Sequence, residues 1–144
     1  MIQTFVTAWD KNKESLRNYL GGHPMGDYKE YKDLVSLLFQ LVINPYLAAL
    51  GEDIYDVTKI HEIDDSEYTG TLMYLIPVKT FGPSPWQYVL THQYYGSCSG
   101  CDDLQGIHHY EYEDYPSNDE IDEYMQLFLG LLQHCKIPYE LGEE

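Results

Sequence analysis

Residues 80–135 contain no lysine and no arginine, although acids are dense there. Binding DNA or RNA directly requires cations against phosphates, so this absence argues against nucleic acid, anionic membranes and phosphorylated ligands as partners. Cysteine is scarce too, with Cys98, Cys101 and Cys135 the three in the chain. An odd number without an export signal argues against a disulfide framework and points to free thiols in a reducing cytoplasm. The opening "MIQTFVTAWDKNKESL" lacks the basic start, apolar h-region and small-residue cleavage site of a secretory signal. No apolar run reaches the roughly 20 residues of a membrane span. The longest, "LVSLLFQLVI" at residues 34–43, has the size of a core helix. Also missing are the nucleophile elbow G-x-S-x-G, a Walker loop, H-E-x-x-H, a dinucleotide fingerprint and a calcium loop. With no repeat or linker either, residues 1–144 read as a single domain.

Acid is abundant, and its placement is lopsided. The formal net charge is −16, from 24 acids and 8 Lys/Arg. Residues 1–50 balance, with five of each, so the whole excess lies in residues 51–144. The apolar content of 44% is enough for a folded core, which separates this chain from disordered acidic tails.

Periodicity predicts two helices in the neutral half. Phe5, Trp9, Leu16 and Leu20 share one face of the first, which Gly21 and Gly22 end. Asp27 with Glu30 offers a start to the second, and Pro45 is expected to end or kink it. From Ile54 the runs "IYDVTKIHEID", "YTGTLMYLIPVKT" and "PWQYVLTHQYY" read as three strands of an antiparallel meander. The middle strand is apolar on both sides, as expected if helices pack it. Trp86, Tyr88, Leu90, His92 and Tyr94 share one face of the third. Ser117 and Glu120 form a capping box for a last helix carrying Ile121, Met125, Phe128, Leu132 and Cys135. The order α–α–β–β–β–α predicts an α+β domain, a small three-stranded sheet packed against helices.

Two candidate sites stand out. In "YYGSCSGCDDLQ", residues 94–105, Cys98 and Cys101 have the spacing of a zinc knuckle, with His92, His108, His109 or Cys135 as further ligands. Redox or nucleophilic thiol chemistry, with His92 as base, is the related alternative. Against both, Gly96, Ser97, Ser99 and Gly100 are turn formers, and the cysteines then serve as small apolar residues under a turn. Ser99 would cap a short helix there. No cofactor is expected on that reading.

The stretch from residue 68 to residue 105, with its "YGSCSGCD" and "LQ", resembles small acidic proteins of phages and prophages of Gram-positive bacteria. In these a YGSCSGCD-x-LQ element likewise follows a Tyr-rich strand and precedes a C-terminal helix. The resemblance implies a genomic setting, not a chemistry, and no functional residue is carried over from it.

The second candidate is a surface. Residues 108–124, "HHYEYEDYPSNDEIDEY", hold seven acids and four tyrosines without a cation. Spaced carboxylates can imitate a phosphate backbone, and tyrosines add contact area at low entropic cost. The expected partner-binding set is Asp102, Asp103, Tyr110, Glu111, Tyr112, Glu113, Asp114, Tyr115, Asp119 and Glu120. The expected activity is non-enzymatic inhibition of a host defence enzyme, of the anti-restriction or anti-CRISPR kind, by docking in its basic nucleic-acid channel.

Overall fold

The computed structural model describes residues 2–64, 70–96, 102–108 and 112–137. Helix α1 (Ile2–Gly21) buries Phe5, Ala8, Trp9, Leu16 and Leu20, the stripe its spacing predicts. Gly22 N–H then bonds the carbonyls of Asn18 and Tyr19, each at 3.1 Å, and the helix stops. A 3-10 turn (Met25–Tyr28) follows, pinned by the buried Tyr28 hydroxyl, which donates to Leu20 O at 2.9 Å. Asp27 lies inside that turn and so does not open the next helix. That helix is α2 (Tyr31–Leu38), at whose start Glu30 N–H donates to Asp33 Oδ2 at 3.1 Å.

Pro45 does not end this helix. The chain runs through a π-helical turn (Phe39–Ile43) into α3 (Asn44–Ala49), and Asn44 N–H reaches back to Phe39 O. In an α-helix the Pro45 ring would press on the carbonyl of Leu41; the wider turn gives it room. The burial of Phe39, Val42 and Ile43 holds that turn in place. At its end Gly51, at φ 74°, and Glu52 donate to Ala48 O and Leu47 O, both at 3.0 Å, and reverse the chain. The Asn44 side chain pairs both ways with the Tyr55 backbone, each bond 2.9 Å, and so fixes the entry into the sheet.

The sheet is an antiparallel meander of β1 (His61–Asp64), β2 (Gly70–Pro77) and β3 (Tyr88–Tyr95), in the order β1-β2-β3. The first expected strand is broken: Tyr55 bridges Val78 alone, and Asp56 caps a 3-10 turn (Val57–Lys59) before β1 begins. His61, Leu75 and Leu90 stand in one row across the sheet, and Ile63, Met73 and His92 in the next. Both rows face outward, with Thr71, Tyr88 and Tyr94. The alternate face carries Tyr74, Ile76, Val89, Thr91 and Gln93, all buried. After β3 come a short helix, α4 (Asp103–His108), and then α5 (Asn118–Gln133). The fold is therefore α+β, as the sequence predicts.

Helices pack one face of the sheet, the arrangement the sequence predicts. Thr91 Oγ1 donates to Leu131 O of α5 at 2.6 Å, which places the helices on the inner face. Among the described residues no helix covers the other. The aromatic face of β3 is thus the outward one. Thr91 and Gln93 go inside because each finds an acceptor, Leu131 O and Tyr94 O, so their burial leaves no unpaired polar group. One core joins the two halves: Phe5, Leu20 and Leu34 share it with Tyr74, Phe128 and Leu131.

Candidate functional site

Asp102 sits where the sheet, α2 and α4 meet. It is 5% exposed, and its carboxylate accepts four hydrogen bonds. Tyr31 OH donates to Oδ1 at 2.8 Å, as do Leu104 N–H at 2.9 Å and Gln105 N–H at 3.2 Å, while Gly96 N–H donates to Oδ2 at 3.2 Å. Two of these bonds cap α4, one ties down the end of β3, and one crosses to α2. Burial pushes the Tyr31 hydroxyl far above its ordinary range; the Leu104 N–H bond opposes this, and the Asp102 charge adds to it. The hydroxyl therefore stays a donor at any physiological pH. Asp102 is a structural cap and does not belong to the acidic surface, and it takes the capping role expected of Ser99. Its neighbour Asp103 is exposed.

The acidic surface is built on residues 112–123. Its loop is fixed by backbone: Met25 N–H donates to Asp114 O at 2.8 Å and Gly26 N–H to Tyr112 O at 2.7 Å. The approach is so close that a Cβ on Gly26 would lie 2.7 Å from Tyr112 O. Lys29 Nζ lies 5.5 Å from the centre of the Tyr112 ring, so Tyr112 is half-buried beneath a cation. Next comes the expected capping box, with Ser117 N–H donating to Glu120 Oε1 at 2.8 Å and Glu120 N–H to Ser117 Oγ at 3.2 Å. Glu120 is thereby engaged in the helix start. Arg17 of α1 bonds Asp122 at 2.7 Å. Glu113, Asp114, Tyr115, Asp119 and Glu123 are exposed. The four carboxylates among them have no ion pair among the described residues. Asp119 and Glu120 also favour the positive end of α5.

Of the expected docking set, then, Glu113, Asp114, Tyr115 and Asp119 stand together on an anchored ledge. Tyr112 is half-buried against Lys29, Glu120 caps α5, and Asp103 is exposed on α4. Tyr110 and Glu111 lie outside the described residues.

Cys98 and Cys101 also lie outside the described residues, and nothing is described of the His108 side chain. His92 is stacked on His134, ring centres 4.1 Å apart and planes 8° from parallel, and His134 Nδ1 bonds His92 O at 2.9 Å. Cys135 is buried; desolvation pushes its thiol up to about 12, and it donates to Leu131 O at 3.4 Å. No group of three or more metal-ligating side chains occurs among the described residues, nor, among these residues, is any helix long and apolar enough to cross a membrane.

Sequence reasoning missed the inversion of β1. Glu62 and Asp64 turn toward the helix side, where they accept from Tyr74 OH, at 2.8 Å, and Tyr95 OH. Ile63 is left outward, 44% exposed. The alternation H-E-I-D in the sequence carries this information, but only the strand register shows which side faces the core. No protein-family profile, curated protein or solved structure matches the chain.

Proposed function

We propose that the protein acts by binding rather than catalysis, as a phage-type inhibitor in a bacterial cytoplasm. Its acidic ledge docks into the basic nucleic-acid channel of a host defence nuclease, of the restriction or CRISPR effector kind. The observation that carries this reading is the clamp of Met25 and Gly26 on Asp114 and Tyr112. It holds Glu113, Asp114 and Tyr115 in a fixed relation to Asp119, and a preorganised set of charges loses little entropy on docking. The uncompensated acid of residues 51–144 supports it, since such a field speeds association with basic surfaces and repels nucleic acid. The resemblance of residues 68–105 to phage proteins supports the setting.

The test is nuclease inhibition and direct binding across a range of salt, with Glu111, Glu113, Asp114 and Asp119 reversed to lysine together. Binding that weakens with salt and disappears in the folded variant is expected. A variant that binds as tightly as the natural chain would sink the reading. Near one zinc per purified chain, lost in Cys98→Ser, would replace it with the metal-binding alternative.

A further inference from the structure

A cavity of about 340 Å³ opens on the helix side of the sheet, where β1 and the end of β3 approach the starts of α2 and α4. Leu72, Leu104 and Tyr31 wall it, and Glu30, Glu62 and Asp102 bring three carboxylates to it. Pockets for small molecules begin at about 300 Å³, and apolar walls with a few polar groups are their usual make-up. Two of the three acids are fixed by hydrogen bonds yet keep free acceptor positions, of which a carboxylate has about four. Tyr74 OH donates to Glu62 Oε2 at 2.8 Å, and among the described residues nothing donates to Oε1. Asp102, 5% exposed, takes three donors on Oδ1 but a single one on Oδ2, Gly96 N–H at 3.2 Å.

Charge decides what fits there. Among the described residues Lys29 is the one cation in the lining, and its Nζ lies over the Tyr112 ring. The starts of α2 and α4 add at most about half a positive charge each, so against three carboxylates about one negative charge remains. The Tyr74 hydroxyl beside the cavity feels this field. Burial pushes it far above its ordinary range, and its bond to Glu62 and the charges of Glu62 and Glu30 push the same way. The three acids do not converge as metal ligands. The residual charge and the apolar walls suit an organic cation instead.

We infer that this cavity binds a monovalent organic cation, a guanidinium or alkylammonium group carried on an apolar stem. The charged head bonds Glu62 and Asp102, and the stem lies along Leu72, Leu104 and Tyr31. The oxygen of Asp102 that caps α4 is the filled one, so the head is taken by Oδ2 and the fold stays as it is. A free amine or guanidine and an arginine or lysine side chain of another protein present the same chemistry to the cavity. The site does not depend on what the acidic ledge binds.

The test is an NMR titration of the full chain with agmatine, a guanidinium on an alkyl stem, and with a blocked Gly-Arg-Gly peptide, followed at the amides of Gly96, Leu104 and Gln105. Agmatine should give saturable shifts with a Kd of about 0.1–1 mM, and butyrate, a short stem with the opposite charge, should give none. Shifts from the peptide as well assign the site to a protein side chain; shifts from agmatine alone assign it to a free small molecule. Glu62→Gln keeps the acceptor for Tyr74 and should weaken binding about fivefold or more, and Leu72→Trp, which fills the cavity, should abolish it, both in chains with unchanged circular dichroism. No saturable shift from either cation up to about 10 mM, equal shifts from butyrate, or full affinity in Glu62→Gln overturns the inference.

Discussion

Replacing Asp102 by alanine should cost about 3–5 kcal/mol of stability, because a helix cap is lost and buried donors are left without their acceptor. The structure says how the loss is divided. Removing the helix cap costs about 1 kcal/mol, and the Tyr31 bond to a charged acceptor about 1.5–3 kcal/mol. Gly96 N–H is left to find water in a site where Asp102 was 5% exposed. Asp102→Asn keeps the acceptor on the cap and on Tyr31 and should cost about 1–2 kcal/mol; Tyr31→Phe, which leaves the carboxylate three backbone donors, should cost about as much. Urea denaturation measures all three, and the double variant Asp102→Ala/Tyr31→Phe should cost less than its two parts summed, because they share one bond. By calorimetry the alanine variant should melt roughly 6–20 °C lower. A loss below about 1 kcal/mol, with partner binding weakened instead, would refute the cap assignment and return Asp102 to the docking surface.

Gly26→Ala puts a Cβ at 2.7 Å from the backbone oxygen of Tyr112. It should cost about 1–3 kcal/mol and speed hydrogen exchange at Met25 and position 26; unchanged exchange would contradict the clamp. Cys135, with its thiol pushed up to about 12 by burial, should resist thiol reagents at pH 8 in a Cys98→Ser/Cys101→Ser chain until urea unfolds it; rapid native labelling would count against its burial. His92 holds its proton less tightly than an ordinary imidazole because burial disfavours the cation, with repulsion from His134 and Lys136 added. Its contribution to stability is thus full above pH 6.5 and is lost as pH falls toward the lowered midpoint. An NMR midpoint below 6.5, moving up in His134→Gln, is expected, and a midpoint at or above 6.5 would contradict the stacked geometry.

The elements legible in the sequence were those with local causes. The α1 stripe, the Ser117–Glu120 box and the strand order all follow from residues within a few positions of one another. What escaped depends on distant partners. Asp102 and Asp103 are indistinguishable as letters, yet one is buried because Tyr31, far away in the chain, meets it, and the other is exposed. Pro45 reads as a stop or a kink, and tertiary packing of Phe39 and Ile43 and the bonds from Asn44 to Tyr55 carry the helix through as a π-helical turn rather than ending it. The alternation over residues 61–64 and in β3 marks strand, although a 3-10 turn breaks the first expected strand upstream, and neither alternation says which face is core. That choice was made by single acceptors, such as Leu131 O for Thr91. On the ledge, the acids were plain in the sequence, whereas the clamp by Met25 and Gly26 was not.

The shared core has a consequence for synthesis on the ribosome. The partners of α1 and α2 include Phe128 and Leu131 on α5, so the helices made first wait for the one made last. At common translation rates that wait is on the order of ten seconds. During it, Phe5, Leu16, Leu20 and Leu34 are without their cover, on a nascent half whose charges cancel. This window is when the chain is most exposed to aggregation and most in need of a chaperone. The acid-rich half then emerges, and with it come both the missing cover and the charge that keeps finished chains apart.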